Sequence, residues 1–183
     1  MSDAAEAPKT LYLGFCGVID AQGVGKIAGA LNQAVNDGFD AAHLTFSSPG
    51  GVAADGVFLY HHIRSLPLQT TIHNTGVVAS AATTIFAAAD VRRACQHSIF
   101  MIHPVQSQAN GAHASLQSCL DMALAEEARI DQILTERTAI PQDVLSQRRS
   151  VEIFFGADKA LEYRLIHEIG SFALPPGNKI FHL

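Results

Sequence analysis

Three short segments of the chain combine residue types that could carry out nucleophilic catalysis. The pair Gly50-Gly51 ends the run Ser-Ser-Pro-Gly-Gly, where glycine lets the backbone take positive φ angles and approach a ligand closely. Ser80 stands where a strand gives way to a helix of small residues, so its hydroxyl would lie near free backbone N–H groups and the positive end of the helix dipole. His103 ends an apolar strand that Pro104 stops. A serine nucleophile, a histidine base and backbone donors for an oxyanion are what such a reaction needs.

Each segment also has a plain structural explanation. The double glycine is typical of a tight turn before a helix, and Ser80 could simply cap the helix that follows it. A lone histidine is more often structural than catalytic. The residues around Ser80 do not match the Gly-x-Ser-x-Gly turn of the α/β-hydrolases. Taken one at a time, the segments leave both interpretations open.

The composition excludes several classes of protein. The 183 residues are 48% apolar and 16% charged, which indicates one packed domain with a substantial core. A net charge of -5, with 12 scattered Lys and Arg residues, argues against nucleic acid as a partner. The three cysteines fit no zinc motif, and no His/Cys/Asp group has metal-ligand spacing, so we expect a reduced intracellular protein without metal or cofactor.

No targeting or membrane segment is visible in the sequence. The first ten residues contain neither a basic nor an apolar signal region. The longest apolar stretch, residues 76–89, is interrupted by Ser80 and by two threonines, and it is too short for a membrane span. We therefore expect a soluble, cytoplasmic protein with no membrane partner.

Strand-like and helix-like segments alternate along the chain, which predicts an α/β fold with a largely parallel sheet. The predicted strands are 11–15, 42–46, 69–73, 91–95 and 98–103. The predicted helices are 23–36, 54–65, 113–138, a short one that starts at Pro141, and 158–165. The Ala/Leu/Glu-rich helix 113–138 has the strongest helical composition of these.

Four motifs together resemble the proteolytic subunit of the Clp protease (the ClpP family), over about residues 10–180. They are Ser48-Pro49-Gly50-Gly51, Gly76 with Ala79-Ser80, Met101-Ile102-His103-Pro104, and the segment from Glu152 to Ile166. They occur in the family's order with nearly the family's spacing. The resemblance implies a ClpP/crotonase-like superhelix of β-β-α units in which helix 113–138 is the handle. It also implies a short disordered segment, residues 1–10, before a single peptidase domain, residues 11–183.

The same resemblance assigns roles to individual residues. Ser80 matches the family's nucleophile, His103 its general base, and Glu152 stands at the position of its triad aspartate. The backbone N–H groups of Gly51 and Ala81 match the oxyanion hole. Residues Gly50, Gly51 and Val52 would pair with the backbone of an extended substrate. The implied activity is that of a serine endopeptidase acting on extended peptides or unfolded proteins.

The implied assembly is a homo-oligomer, as a ring or a pair of stacked rings. Helix 113–138 carries more apolar residues than one domain face would cover. Docking of a Clp-type ATPase is not expected, because only ten residues precede Leu11. Two other functions stay open: a crotonase-fold acyl-CoA hydratase, isomerase or thioesterase, and a catalytically silent ring scaffold. Near the last helix, Arg164 and His167 depart from the family's glycine and acid.

Overall fold

Strands and helices alternate along residues 8–183, the part of the chain that the computed structural model describes. The described strands are β1 Thr10–Cys16, β2 Ala41–Ser48, β3 Gln69–Ala79, β4 Val91–Ala94, β5 Ile99–Ile102, β6 Ile153–Gly156, β7 Glu168–Ile169 and β8 Ile180–His182. The described helices are α1 Ala21–Asn36, α2 Ala53–Ser65, α3 Ala81–Ala88, α4 His113–Arg137, α5 Gln142–Gln147 and α6 Ala157–Glu162. The predicted α/β class is therefore confirmed.

All described strands belong to one sheet, whose main order is β6-β5-β3-β2-β1-β8, with β4 paired to β3 and β7 to β4. Neighbouring strands run parallel except β5 and β6, which are antiparallel. The long strand β3 pairs with β4 through residues 71–74 and then with β5 through residues 77–79. The carboxyl ends of β2, β3 and β5 consequently meet at one edge of the sheet, where Gly50, Ser80 and His103 follow them.

The helices that connect these strands bury one apolar face each, and α3 is buried on all sides. In α1, the N-cap Asp20 accepts a hydrogen bond from the Gly23 N–H (2.8 Å), and Ile27 and Leu31 pack into the core. All eight residues of α3 are buried, which its small alanine and threonine side chains permit. The start of α3 is therefore set deep in the core, directly after Ser80.

Helix α4 confirms the predicted helix 113–138 and divides into two halves. In its second half, Ile130, Ile133 and Leu134 are buried in the core. In its first half, large apolar side chains are about half exposed or more, namely Leu116, Leu120, Met122 and Leu124. The apolar excess expected from the sequence thus lies on the first half of the helix alone.

The structure differs from the predicted elements in the length of β3 and in three short strands that were not predicted. Strand β3 continues six residues past the predicted end at His73, because the Val77 N–H bonds to Ser47 Oγ (3.2 Å) where the β2–β3 register shifts. Strands β6, β7 and β8 have two to four residues each, too few for an alternating pattern to reveal them. Thr10 already belongs to β1, whereas residues 1–7 of the segment predicted to be disordered lie outside the described residues.

No helix among the described residues is long and apolar enough to cross a lipid bilayer.

Candidate active site

Ser80 lies between β3 and α3 with a backbone conformation that is rare for a residue with a side chain. Its φ is 56° and its ψ is -130°, in a region that costs conformational energy outside glycine. Its side chain makes no capping hydrogen bond to α3, which removes the structural explanation that the sequence left open. The strained turn instead directs the hydroxyl away from the helix.

The Ser80 hydroxyl faces His103. Ser80 Oγ and His103 Nε2 are 2.7 Å apart, a normal hydrogen-bond distance. The two residues meet because β3 and β5 are parallel, with Ala79 opposite Met101, and the Ser80 N–H donates to the Met101 carbonyl (2.8 Å). The other ring nitrogen, His103 Nδ1, is buried and has no hydrogen-bond partner among residues 8–183.

Glu152 lies just beyond the β5–β6 pairing at the position opposite His103, but the two side chains form no hydrogen bond. The antiparallel β5–β6 register pairs Ile102 with Ile153, so the next positions outward are His103 and Glu152. Glu152 is exposed and lines the same cavity as Ser80 and His103. Asp158, the other acid near this strand, lies in the first turn of α6 and does not line that cavity. The structure therefore joins two members of the predicted triad and leaves the third nearby.

The double glycine comes so close to its neighbours that side chains are excluded. A Cβ on Gly50 would lie 2.5 Å from Ser80 Cβ, and one on Gly51 would lie 2.1 Å from the Ile19 carbonyl oxygen. Both residues also have positive φ, 97° and 154°. The close approach places the backbone of the glycine pair directly beside the serine.

Residues 50–52, called the glycine segment below, use some of their backbone N–H and C=O groups within the chain and leave others free of it. The Ile19 N–H donates to the Gly50 carbonyl (2.8 Å), and the Val52 N–H donates to the Ile19 carbonyl (2.8 Å). This is a parallel bridge between Ile19 and Gly51, so the N–H and C=O of Gly51 point to the opposite side. The sequence assigned Gly50, Gly51 and Val52 jointly to substrate pairing; Gly50 O and Val52 N–H are instead occupied within the chain.

A cavity of about 660 Å³ surrounds these groups. Its lining includes Gly51, Ser80, Ala81, His103 and Glu152. Ala81 is the first residue of α3, and the first N–H groups of a helix have no partner within that helix. The cavity thus contains a serine hydroxyl bonded to an imidazole, and Gly51 and Ala81 line it from two different elements.

Two contributors to this site carry no signal in the sequence. Ile19, in the loop after β1, holds the glycine segment. Arg148, which follows α5, lines the cavity and donates from Nη1 to the His103 carbonyl (2.9 Å). Neither belongs to a motif, and both act through contacts between residues distant in sequence.

Histidines form a second group, on β2 and β3, away from the serine. The rings of Tyr12, His43 and His73 stack in succession, with centroids 5.8 Å apart in each step. Burial, together with the nearby charges of His73 and Arg93, lowers the pKa of His43 to about 4. Burial likewise lowers the pKa of His73. Within residues 8–183, no group of three or more metal-binding side chains could hold an ion.

Comparisons with known proteins agree with this fold. Residues 22–172 match the Clp protease family, and the chain belongs to that family. Three relatives are each an ATP-dependent Clp protease proteolytic subunit 2: that of Parasynechococcus marenigrum (strain WH8102) is 28% identical over 69% of this chain, that of Pseudomonas aeruginosa 25% over 71%, and that of Chlamydia muridarum 30% over 69%. The matches cover 66%, 66% and 64% of those proteins, so the chain spans just under two thirds of their length.

A solved structure supports the same architecture. A ClpP1 point mutant from Listeria monocytogenes superposes with a TM-score of 0.79, at 20% identity, over 90% of this chain and 92% of that one. The ClpP/crotonase-like fold and the family resemblance expected from the four motifs are therefore confirmed.

Proposed function

We propose that this protein is a serine endopeptidase that hydrolyses peptide bonds in extended peptides and unfolded proteins. The observation that carries the proposal is the 2.7 Å contact between Ser80 Oγ and His103 Nε2, made by a serine with a strained backbone in a cavity that Gly51 and Ala81 also line. Membership of the Clp protease family supports the same activity.

Ser80 is the proposed nucleophile and His103 the proposed general base. As Ser80 Oγ attacks the substrate carbonyl carbon, His103 Nε2 takes the hydroxyl proton and later passes it to the leaving amine. The attack makes a tetrahedral oxyanion, for which the N–H groups of Gly51 and Ala81 are the proposed donors. Water, activated by the same imidazole, then hydrolyses the acyl-enzyme.

Glu152 is the proposed third member of the triad. His103 Nδ1 is buried without a partner in the described chain, and a buried N–H without a partner favours binding an acceptor. Glu152 is the carboxylate at the facing position across β5 and β6. A rotation of its exposed side chain would bring the carboxylate toward Nδ1, where it would hold the tautomer and stabilise the imidazolium.

The proposed substrate partner within the glycine segment is Gly51. Its N–H and C=O face away from Ile19, so an extended peptide could pair with them as an added strand. Gly50 and Val52 support this pairing by anchoring the segment to Ile19. The Val52 side chain is half exposed and lines the cavity, where it would contact the substrate.

We further propose that the chain acts as a homo-oligomer, in a ring or a pair of stacked rings. The first half of α4 exposes Leu116, Leu120, Met122 and Leu124 in succession. A run of exposed apolar side chains of this kind is typical of a protein–protein interface.

Active-site labelling tests the proposed function directly. A fluorophosphonate probe should modify the protein at one residue, and peptide mapping should locate the adduct on Ser80. A crotonase-fold acyl-CoA enzyme or a silent scaffold would have no activated serine and would stay unlabelled. An adduct on Ser48 or Ser98 would contradict the assignment, because both hydroxyls make internal hydrogen bonds.

A further inference from the structure

His103 lies beyond the hydrogen-bonded ladder of the sheet. Strand β5 ends at Ile102, and Pro104 has no N–H to continue it. The last backbone hydrogen bond between the Ser80 strand and the His103 strand is donated by the Ser80 N–H to the Met101 carbonyl, two residues before the histidine. Since His103 Nδ1 has no hydrogen-bond partner in the described chain, no hydrogen bond on that side fixes the imidazole.

A buried arginine holds the main chain at this point. Arg148 is 2% exposed, and its Nη1 donates to the His103 carbonyl (2.9 Å). The rest of its guanidinium faces α4: Nε donates to Asp131 Oδ1 (2.8 Å) and Nη2 lies 2.7 Å from Glu127 Oε2. A buried cation needs such partners, and together they fix its orientation.

Glu127 holds the other side of the same turn. Its Oε1 accepts a hydrogen bond from the Val105 N–H. The His103 carbonyl and the Val105 N–H are the backbone groups on either side of Pro104. Arg148 and Glu127, paired with each other, therefore clamp both of them against α4.

We propose that Arg148 is a positioning residue for His103, with Glu127 as the second half of the clamp. This inference rests on the proposed function of Ser80 and His103. The placement of the imidazole depends on the torsions of residues 102–104, and the clamp restricts them from outside the sheet. A displacement of about 1 Å at a reacting group can cost on the order of 100-fold in rate, so this restraint bears directly on turnover.

The surrounding charges allow a clean test. Removing Arg148 alone would leave the Glu127 carboxylate buried without a cation, which destabilises a fold by itself. Asp131 keeps a cation in either case, because Arg149 lies 2.5 Å from its Oδ2. The double variant Glu127→Gln/Arg148→Met therefore leaves no buried unpaired charge, and the new amide side chain still offers an oxygen to the Val105 N–H.

The experiment compares that double variant with Glu127→Gln, which retains the Arg148 bond to His103. Arg149→Met is the stability control, because the Arg149 side chain bonds to Asp131 without bonding to Arg148 or to the His103 turn. Relative to Glu127→Gln, the double variant should be labelled by a fluorophosphonate at Ser80 about 10-fold more slowly or worse, with kcat reduced to a similar extent. KM for a short peptide should change less than about twofold, since the glycine segment is untouched.

Crystal structures of the variants provide a readout that does not depend on activity. In the double variant, the Ser80 Oγ to His103 Nε2 distance should exceed about 3.5 Å. Equal labelling rates in the double variant and in Glu127→Gln would overturn the positioning role, as would an equal loss in Arg149→Met. If wild-type Ser80 is not labelled, the proposed function fails, and the crystallographic distance alone then decides: an unchanged distance rejects the clamp and a lengthened one supports it.

Discussion

At the scale of single residues, Ser80 combines a strained backbone with a hydroxyl that makes no capping hydrogen bond to the helix after it. A serine before a helix ordinarily bonds to the first N–H groups, whereas here the φ of 56° turns Oγ toward His103 instead. Thr83 secures the turn, because its N–H and hydroxyl both donate to the Ser80 carbonyl (2.9 and 2.6 Å). Strain kept in place by neighbouring bonds is typical of functional sites.

We expect Ser80→Ala to lower peptide turnover by about 10³-fold or more, because the nucleophile is lost while the oxyanion donors remain. The measurement is the rate of hydrolysis of a fluorogenic peptide. Circular dichroism and light scattering should show the same fold and assembly as the wild type. Residual turnover within about 10-fold of the wild type would place the nucleophile elsewhere.

Glu152→Gln should lower turnover about 10- to 1,000-fold, because the amide cannot stabilise an imidazolium as a carboxylate does. Asp158→Asn is the matched control, since Asp158 lies outside the cavity and bonds only weakly to Gln96 (3.5 Å). If the control variant loses turnover and Glu152→Gln does not, the third role belongs to Asp158. If neither variant loses turnover, the site works as a Ser80–His103 dyad.

At the scale of elements, the parallel order of β2, β3 and β5 gathers three strand ends into one site. The glycine segment after β2 packs against Ser80 after β3, and Ser80 bonds to His103 after β5. Each contact depends on the register of the strands before it, so a substitution at one strand end should displace the residues at the other two.

Gly50→Ala should reduce turnover about 100-fold and lower the melting temperature, because its Cβ would lie 2.5 Å from Ser80 Cβ and 2.6 Å from the Ala79 carbonyl oxygen. Gly25→Ala is the matched control in α1, where an added Cβ meets nothing within 4 Å. That control should stabilise the protein by about 0.5–1 kcal/mol and leave turnover intact. Full activity in Gly50→Ala would contradict the close packing.

The stacked histidines of the sheet should make the free energy of unfolding depend on pH. His43 stays neutral in the fold down to a pH of about 4, while the unfolded chain takes up the proton near pH 6.5. Its contribution is therefore complete above pH 6.5 and is lost as the pH falls toward 4. His43→Phe should reduce the drop in stability between pH 7.5 and pH 4.5 by on the order of 1–2 kcal/mol, allowing for the partial exposure of the ring. Thermal unfolding at both pH values measures this; equal drops in both proteins would refute it.

At the scale of the whole molecule, α4 faces two environments. Its second half completes the core and holds the turn after His103 through Glu127, whereas its first half exposes leucines to solvent. This division predicts that the first half contacts other copies of the chain.

Light scattering should give a mass several times the 19.5 kDa of one chain. Leu120→Glu should shift the mass toward the monomer at micromolar concentration, because it places a charge within the apolar surface of α4. Gln22→Glu, at an exposed position of α1, adds the same charge elsewhere and should not change the mass. A monomeric wild type would contradict the proposed assembly.

The sequence by itself determined the α/β class, the bounds of α4 and the family, because helical period, strand composition and four ordered motifs are local features. It also singled out Ser80 and His103 as candidates, but their contact at 2.7 Å depends on strand register, which only the tertiary structure decided. Only the tertiary structure likewise decided which backbone groups of the glycine segment bond to Ile19, and that Arg148 bonds to the His103 carbonyl. These contacts join residues 23 to 45 positions apart, and no local pattern specifies which side chains a folded chain brings together.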